Sequence, residues 1–524
     1  MFAACTLFLA ACGKQTVKIM TPPDASNRVL FSAEQLQTTL DKAGYQVMMQ
    51  QGDTTFSDPE IKTILLTEVN DTTLKKEGFH ITTTGNLTRV SGRDGSGVIY
   101  GCRELIDRVN DSDGKLDFPE ELKDGPEMVL RGACVGLQKM TYLPGHGVYE
   151  YPYTPESFPW FYDKEQWIKY LDMLVANRMN SLYLWNGHPF ASLVKLEDYP
   201  FALEVDEETF KKNEEMFSFL TEEADKRGIF VIQMFYNIIL SKPFAEHYGL
   251  KTQDRNRPIT PLIADYTRKS IAAFIEKYPN VGLLVCLGEA MCTVEDDVEW
   301  FTKTIIPGVK DGLQALGRTD EPPLLLRAHD TDCKLVMDAA LPIYKNLYTM
   351  HKYNGESLTT YEPRGPWSKI HTDLSSLGSI HISNVHILAN LEPFRWGSPD
   401  FVQKAVQAMH NVHGANALHL YPQASYWDWP YTADKLPNGE REFQLDRDWI
   451  WYQTWGRYAW NSHRDRADEI GYWNHQLGQF YGTSDENAGN IALLMKKAEK
   501  LLRSYYAVLV SRKETVRRYC WGCL

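Results

Sequence analysis

Hydrophobic and polar positions divide this chain into short, almost wholly apolar runs separated by longer stretches with an apolar residue every third or fourth place. Eight runs read as strands: Met128–Val135, Ser181–Trp185, Ile229–Phe235, Val281–Leu287, Pro323–Ala328, Asn346–Met350, Ile380–Leu391 and Ala417–Tyr421. Gly228-Ile-Phe-Val-Ile-Gln-Met-Phe235 shows the type, because a parallel strand covered on both faces has little room for polar side chains. Between the runs, Lys164–Asn177, Glu207–Arg227, Tyr266–Lys277 and Phe401–Val412 carry helical spacing with one apolar face. Eight strands interleaved with helices match a closed barrel. Residues 126–445 are therefore expected to form a (β/α)8 TIM barrel of the α/β class.

Residues 14–125 read as a small α/β domain. Val17-Lys-Ile-Met20, Ile61–Leu66 and Gly78-Phe-His-Ile-Thr82 are strand-like, and Ser32-Ala-Glu-Gln starts a capping box. Gly95-Ser-Gly-Val-Ile-Tyr-Gly101 opens a helix after a glycine turn. It lacks the dinucleotide-binding fingerprint, so close packing of helix on strand explains its glycines better than phosphate binding. Asp124-Gly125-Pro126 marks the boundary. Residues 446–524 read as a helical region rich in Trp, Tyr and Arg, packed on the barrel or opening a further domain, and no clean stop signal closes it.

The 524 residues exceed one ordinary domain, and 43% hydrophobic residues is a normal globular content. The net charge of −13 argues against a nucleic-acid partner, while leaving room for a few cations in one cleft. Fourteen Trp and 28 Tyr favour a carbohydrate ligand, although large aromatic cores account for them equally well. Residues 1–12 read as a lipoprotein signal peptide: Phe2–Ala11 is apolar and too short to span a bilayer, and Leu9-Ala-Ala-Cys12 resembles a lipobox. Cys12 would then be acylated, giving an exported protein anchored to the outer membrane by its lipid; a plain secretory signal and a chance apolar start are the alternatives. The remaining cysteines show no disulfide-scaffold density, and Cys520-Trp-Gly-Cys523 has no second pair. No phosphate-binding loop or metal motif is present, so no cofactor and no metal is implied.

The chemistry centres on two lone carboxylates. Leu283–Leu287 leads through Gly288 to Glu289, and Val385–Leu391 leads to Glu392, followed by Pro393, Arg395 and Trp396. A charge beside a buried strand is costly unless it is paired or working. Two such groups about a hundred residues apart in one barrel suggest the acid/base pair of a glycoside hydrolase at the carboxyl-terminal mouth. Glu289, with apolar predecessors, suits the acid; Glu392, near Arg395, suits the base or nucleophile. Both have a competing reading as structural ion-pair members, and Asp330 is either a further catalytic carboxylate or a helix N-cap. Substrate-binding candidates at the strand ends are Arg131, Trp185, Asn186, His188, His329, His351, Lys352, Arg395, Trp396, Tyr421 and Trp427. The Arg and Lys among these, with Lys139, would grip an anionic sugar, and the Trp would stack on a pyranose face.

A small α/β domain followed by a barrel opening on Leu130-Arg-Gly132 resembles bacterial α-glucuronidases of glycoside hydrolase family 67. A similar leading domain precedes the barrel of family 20 hexosaminidases. The family 67 resemblance implies a general acid at Glu289, a base at Glu392, inversion at the anomeric carbon, and a uronic acid released from a plant or algal polysaccharide. The expected Asp after strand six is absent from Met350-His-Lys-Tyr-Asn354, leaving Asp330 or His351 for that role. Gly288 also replaces the Asp of the hexosaminidase acid pair. A retaining exo-glycosidase or N-acetylhexosaminidase-like enzyme, and a non-catalytic glycan-binding lipoprotein, are the alternatives.

Overall fold

The computed structural model describes residues 15–52, 60–137, 152–236, 239–288, 291–356, 358–386, 397–423 and 429–511. It divides into two compact units, Met1–Pro126 with Lys226–Gly228, and Glu127–Asp225 with Ile229–Leu524.

In the first unit, strands β1 (Thr16–Thr21), β2 (Gln46–Gln51), β3 (Lys62–Glu68), β4 (Phe79–Thr84), β5 (Leu87–Gly92) and β6 (Glu121–Asp124) form one sheet in the order β2-β1-β3-β5-β4-β6. Two helices, Asn27–Lys42 and Gly95–Asp111, accompany it. The first helix is capped six residues before the expected Ser32: Ser26 is its N-cap, and Ser32 lies inside, its hydroxyl donating to the Arg28 carbonyl at 2.7 Å. The glycines of the second helix are steric necessities. A Cβ on Gly97 would fall 2.3 Å from the Gly78 carbonyl oxygen, and one on Gly101 would fall 2.5 Å from Val90 Cγ1.

The second unit contains a closed, all-parallel barrel. Its strands are β7 (Leu130–Gly136), β8 (Ser181–Trp185), β9 (Phe230–Tyr236), β10 (Val281–Cys286), β11 (Leu324–Arg327), β12 (Leu347–Glu356), β13 (Ile380–Val385) and β14 (Ala417–Leu420). The sixth runs beyond its expected end at Met350, and the seventh is described only as far as Val385. Alternate residues face inward. Cys134, Tyr183, Ile232, Met234, Leu284, Leu325, Met350 and Ile382 fill the lumen, whereas Leu182, Leu184, Val231 and Leu326 pack in the outer shell. Followed once around, the strand registers close with a stagger of eight residues, as a TIM barrel requires. Helices Trp449–Trp460, Arg466–Tyr481 and Asp485–Ser511 belong to this unit. Trp451, Trp455 and Trp460 are fully buried, and Trp451 Nε1 donates to the Tyr421 carbonyl at 2.9 Å. The aromatic-rich helical region thus packs on the barrel.

Candidate active site

The stagger places one residue from every second strand at a common height. Lys352, Tyr421, Trp185 and Cys286 form such a ring at the carboxyl-terminal mouth, and Arg327, Asn384, Cys134 and Met234 form the ring below. Four aromatic or basic side chains therefore converge. The Arg327 guanidinium lies 5.2 Å above the Trp185 ring, and its Nη1 is 3.8 Å from Cys286 Sγ. The Trp185 ring is 5.8 Å from Tyr421 and 6.5 Å from Tyr236; the His386 ring lies 4.5 Å from Tyr421. Arg327 and Lys352 are both buried, an arrangement suited to an anionic group entering the mouth.

A polar ladder descends from this ring. Lys352 is the register partner of Asn384, and Asn384 of His419. Asn384 Nδ2 donates to His419 Nδ1 at 2.6 Å, which places the imidazole proton on Nε2. Burial, then the charges of His386 and Arg327, press the His419 pKa down to about 3, so this ring is neutral.

The exits of neighbouring strands are tied together. Asn186 donates from Nδ2 to the Leu137 carbonyl at 3.2 Å and accepts from the His188 amide at 2.9 Å, joining the ends of β7 and β8. His188 is buried and held neutral, its pKa lowered to about 4 by desolvation. Gly288, two residues past β10, donates its amide to Thr331 Oγ1 at 3.0 Å. A Cβ at Gly288 would sit 1.8 Å from the Asp330 carbonyl oxygen, so no side chain fits before Glu289. This contact explains the missing hexosaminidase-type Asp in steric terms.

Of the expected site residues, Trp185, Lys352 and Tyr421 meet at the mouth, with Asn186 and His188 at the adjoining strand exits. His329 lies two residues past β11, its Nδ1 3.5 Å from Asp330 Oδ2. Asp330 is exposed, with a left-handed φ of 52° in the turn against Gly288; the N-cap of the following helix is Asp332.

Two expectations need correction. Arg131 sits at the amino-terminal end of β7, donating from Nε to the Arg178 carbonyl (2.7 Å) and from Nη1 to the Met128 carbonyl (2.6 Å). Its guanidinium lies 5.3 Å over Trp460. It braces the barrel floor, because the second residue of a strand is at the end opposite the mouth. His351 faces outward, against Trp367 and His371, because strand alternation sends it away from the lumen when Lys352 points in. It is not placed to act as the base. Glu289, Glu392, Arg395, Trp396, Trp427, Lys139 and Cys12 lie outside the described residues.

Arg327, Asn384, His386 and His419 were not singled out as binding residues from sequence. A usable signal existed for three of them: each stands two positions beyond an inward apolar residue (Leu325, Ile382, Ala417) in an otherwise apolar strand. Among the described residues, no group of three His, Cys, Asp or Glu side chains is arranged to hold a metal ion.

No protein-family model and no curated protein sequence matches the chain. Among solved structures, it is similar to a GH138 enzyme targeting pectin rhamnogalacturonan II. The two share 72% identity and a TM-score of 0.88 over 93% of this chain and 69% of that one. The Flavobacterium johnsoniae chitobiase of family GH20 aligns at 12% identity and a TM-score of 0.54, over 93% of this chain and 70% of that one. The GH20 β-N-acetylhexosaminidase of Streptomyces coelicolor A3(2) aligns at 12% identity and a TM-score of 0.54, over 90% and 92%. At that identity, the two GH20 proteins share the fold alone.

Proposed function

Because this chain belongs to glycoside hydrolase family 138, we propose that it removes a uronic acid from the rhamnogalacturonan II portion of pectin. The observation that carries the reading is the 72% identity, over 93% of the chain, to an enzyme targeting that polysaccharide. The buried Arg327 and Lys352 at the mouth support an anionic sugar, since a guanidinium and an ammonium there favour a carboxylate over a neutral hydroxymethyl group. They also reconcile an acidic substrate with a protein of net charge −13.

In this reading Glu289, three residues beyond the end of β10, donates a proton to the departing glycosidic oxygen. Glu392, beyond the seventh strand, takes a proton from the water that attacks the anomeric carbon from the opposite face. The outcome is inversion, as in an α-glucuronidase. Neutral His419 and His188 add no positive charge to compete with Arg327 and Lys352 for the substrate carboxylate. We further propose that the protein is exported and held at the outer membrane by a lipid on Cys12, which metabolic labelling with a fatty acid and a Cys12→Ala variant would test.

The decisive experiment assays Glu289→Gln and Glu392→Gln on pectic oligosaccharides and an aryl uronide, with NMR of the first-formed anomer. Each variant should lose a factor of roughly 10²–10⁴ while keeping its fold. Wild-type rates in both variants would end the reading. Net retention would instead make Glu392 the nucleophile.

A further inference from the structure

In that reading the mouth ring accommodates the sugar being cleaved, and beyond it strand six extends as a rim whose shell-facing side, the side of His351, carries an exposed aromatic ring. β12 runs four residues past Lys352 to Glu356, rising about 13 Å at the usual strand spacing. Near its tip Gly355 adopts a left-handed φ of 77°, and a Cβ there would meet Trp367 Cζ2 at 2.9 Å. The indole of Trp367, on the following Pro366–Ser375 helix, therefore rests against bare backbone, with the His351 ring 5.5 Å from it on the protein side. Trp367 is 38% exposed, the one tryptophan among the described residues with so much of its surface in water. A large apolar ring seated on one side and open on the other is a common form of ligand platform.

The same loop carries one charge of each sign, on the exposed Glu362 and Arg364. Arg364, three residues earlier, is exposed and makes no ion pair or hydrogen bond among the described residues. Tyr361 is 43% exposed, and its backbone is pinned by Tyr353 Oη, which donates to the Tyr361 carbonyl at 2.8 Å.

We propose that the Tyr361–Trp367 loop forms an outer subsite for an acidic oligosaccharide, with Trp367 stacking on a pyranose ring and Arg364 facing a sugar carboxylate. The inference rests on the reading of the barrel as a glycosidase acting on a pectic chain, and it assigns where the remainder of that chain lies. Specificity for an oligosaccharide over a small glycoside would then come from the loop after strand six rather than from the mouth ring.

The test compares the full chain with Trp367→Ala, Trp367→Phe and Arg364→Ala. One assay is turnover of an aryl uronide and of short pectic oligosaccharides; the other is oligosaccharide binding by calorimetry. Trp367→Ala should lower kcat/KM on the oligosaccharides about five- to tenfold, mainly through KM, and weaken binding to match. The aryl uronide should be turned over at the parent rate, Trp367→Phe should restore most of the loss, and Arg364→Ala should weaken binding in a salt-dependent way. Equal effects on both substrates, or unchanged oligosaccharide binding in Trp367→Ala, would overturn the subsite. Should the parent turn over neither substrate, the uronidase reading falls, while the binding comparison still decides the platform.

Discussion

Replacing Gly288 with Ala tests whether the strand-four exit is held by backbone contact. The added methyl would lie 1.8 Å from the Asp330 carbonyl oxygen, far inside the 3.0 Å that real Cβ contacts respect. One of the two turns must shift by more than about 1 Å. That shift would also stretch the 3.0 Å bond from the Gly288 amide to Thr331 Oγ1. Overpacking of this kind costs on the order of 1–3 kcal/mol of stability. A displacement near 1 Å beside a reacting group lowers turnover by about 10². With Glu289, the next residue, as the acid proposed above, kcat should fall roughly a hundredfold while thermal unfolding shifts by only a few degrees. Kinetics on pectic oligosaccharides, with circular dichroism and calorimetric melting, would read both. Thr331→Val, which removes the acceptor without a clash, should give a smaller loss of the same kind. A Gly288→Ala enzyme with parental kcat and melting temperature would refute the reasoning.

Three further outcomes follow from the structure. Arg327→Lys keeps the charge but loses the planar contact 5.2 Å over Trp185, so KM for a uronide should rise about tenfold with kcat less affected; an unchanged KM would remove Arg327 from the site. Arg457 bonds Glu469 through Nε at 2.8 Å and Nη2 at 2.6 Å; Arg457→Ala takes this two-point partner from a buried carboxylate, leaving it only Tyr458 and the charge of Arg464, and should cost about 3 kcal/mol in denaturant unfolding, with a loss below 1 kcal/mol counting against it. Burial lowers the pKa of His351 to about 4 and of His371 to about 3, and also lowers that of His413. The unfolded chain therefore binds protons that the folded chain does not, and stability should fall as pH drops from about 6.5 toward 4, by up to about 1.4 kcal/mol per pH unit per ring. Asp297, raised to about 7 by burial and then by Asp296, acts oppositely, its contribution being lost as pH rises toward 7; Asp297→Asn removes that term. His413→Leu, which breaks no hydrogen bond among the described residues, should flatten the acid-side loss, and an unaltered urea-unfolding profile would contradict this.

Much of the architecture was legible because parallel strands in a barrel are buried on both faces and so leave uninterrupted apolar runs. Ser181–Trp185 coincides with its observed strand, and Val281–Leu287 differs from its strand by one residue at the end. Boundaries were lost where polar residues belong to a strand. His351-Lys-Tyr-Asn354 reads as a loop by composition, yet it extends β12, with Lys352 turned into the lumen and His351 into the shell. Arg131 is expected at the mouth as the strand-end group of the first run, but its position second from the start of β7 puts it at the opposite end.

The sequence by itself determined the barrel, the leading α/β segment and the aromatic helical region, since the spacing of apolar residues is a local property of the chain. Only the tertiary structure decided which polar residues share one mouth. Lys352, Tyr421, Trp185 and Cys286 come from four strands far apart in the chain. Their common height follows from the stagger accumulated around the closed sheet, a quantity that no stretch of sequence carries alone.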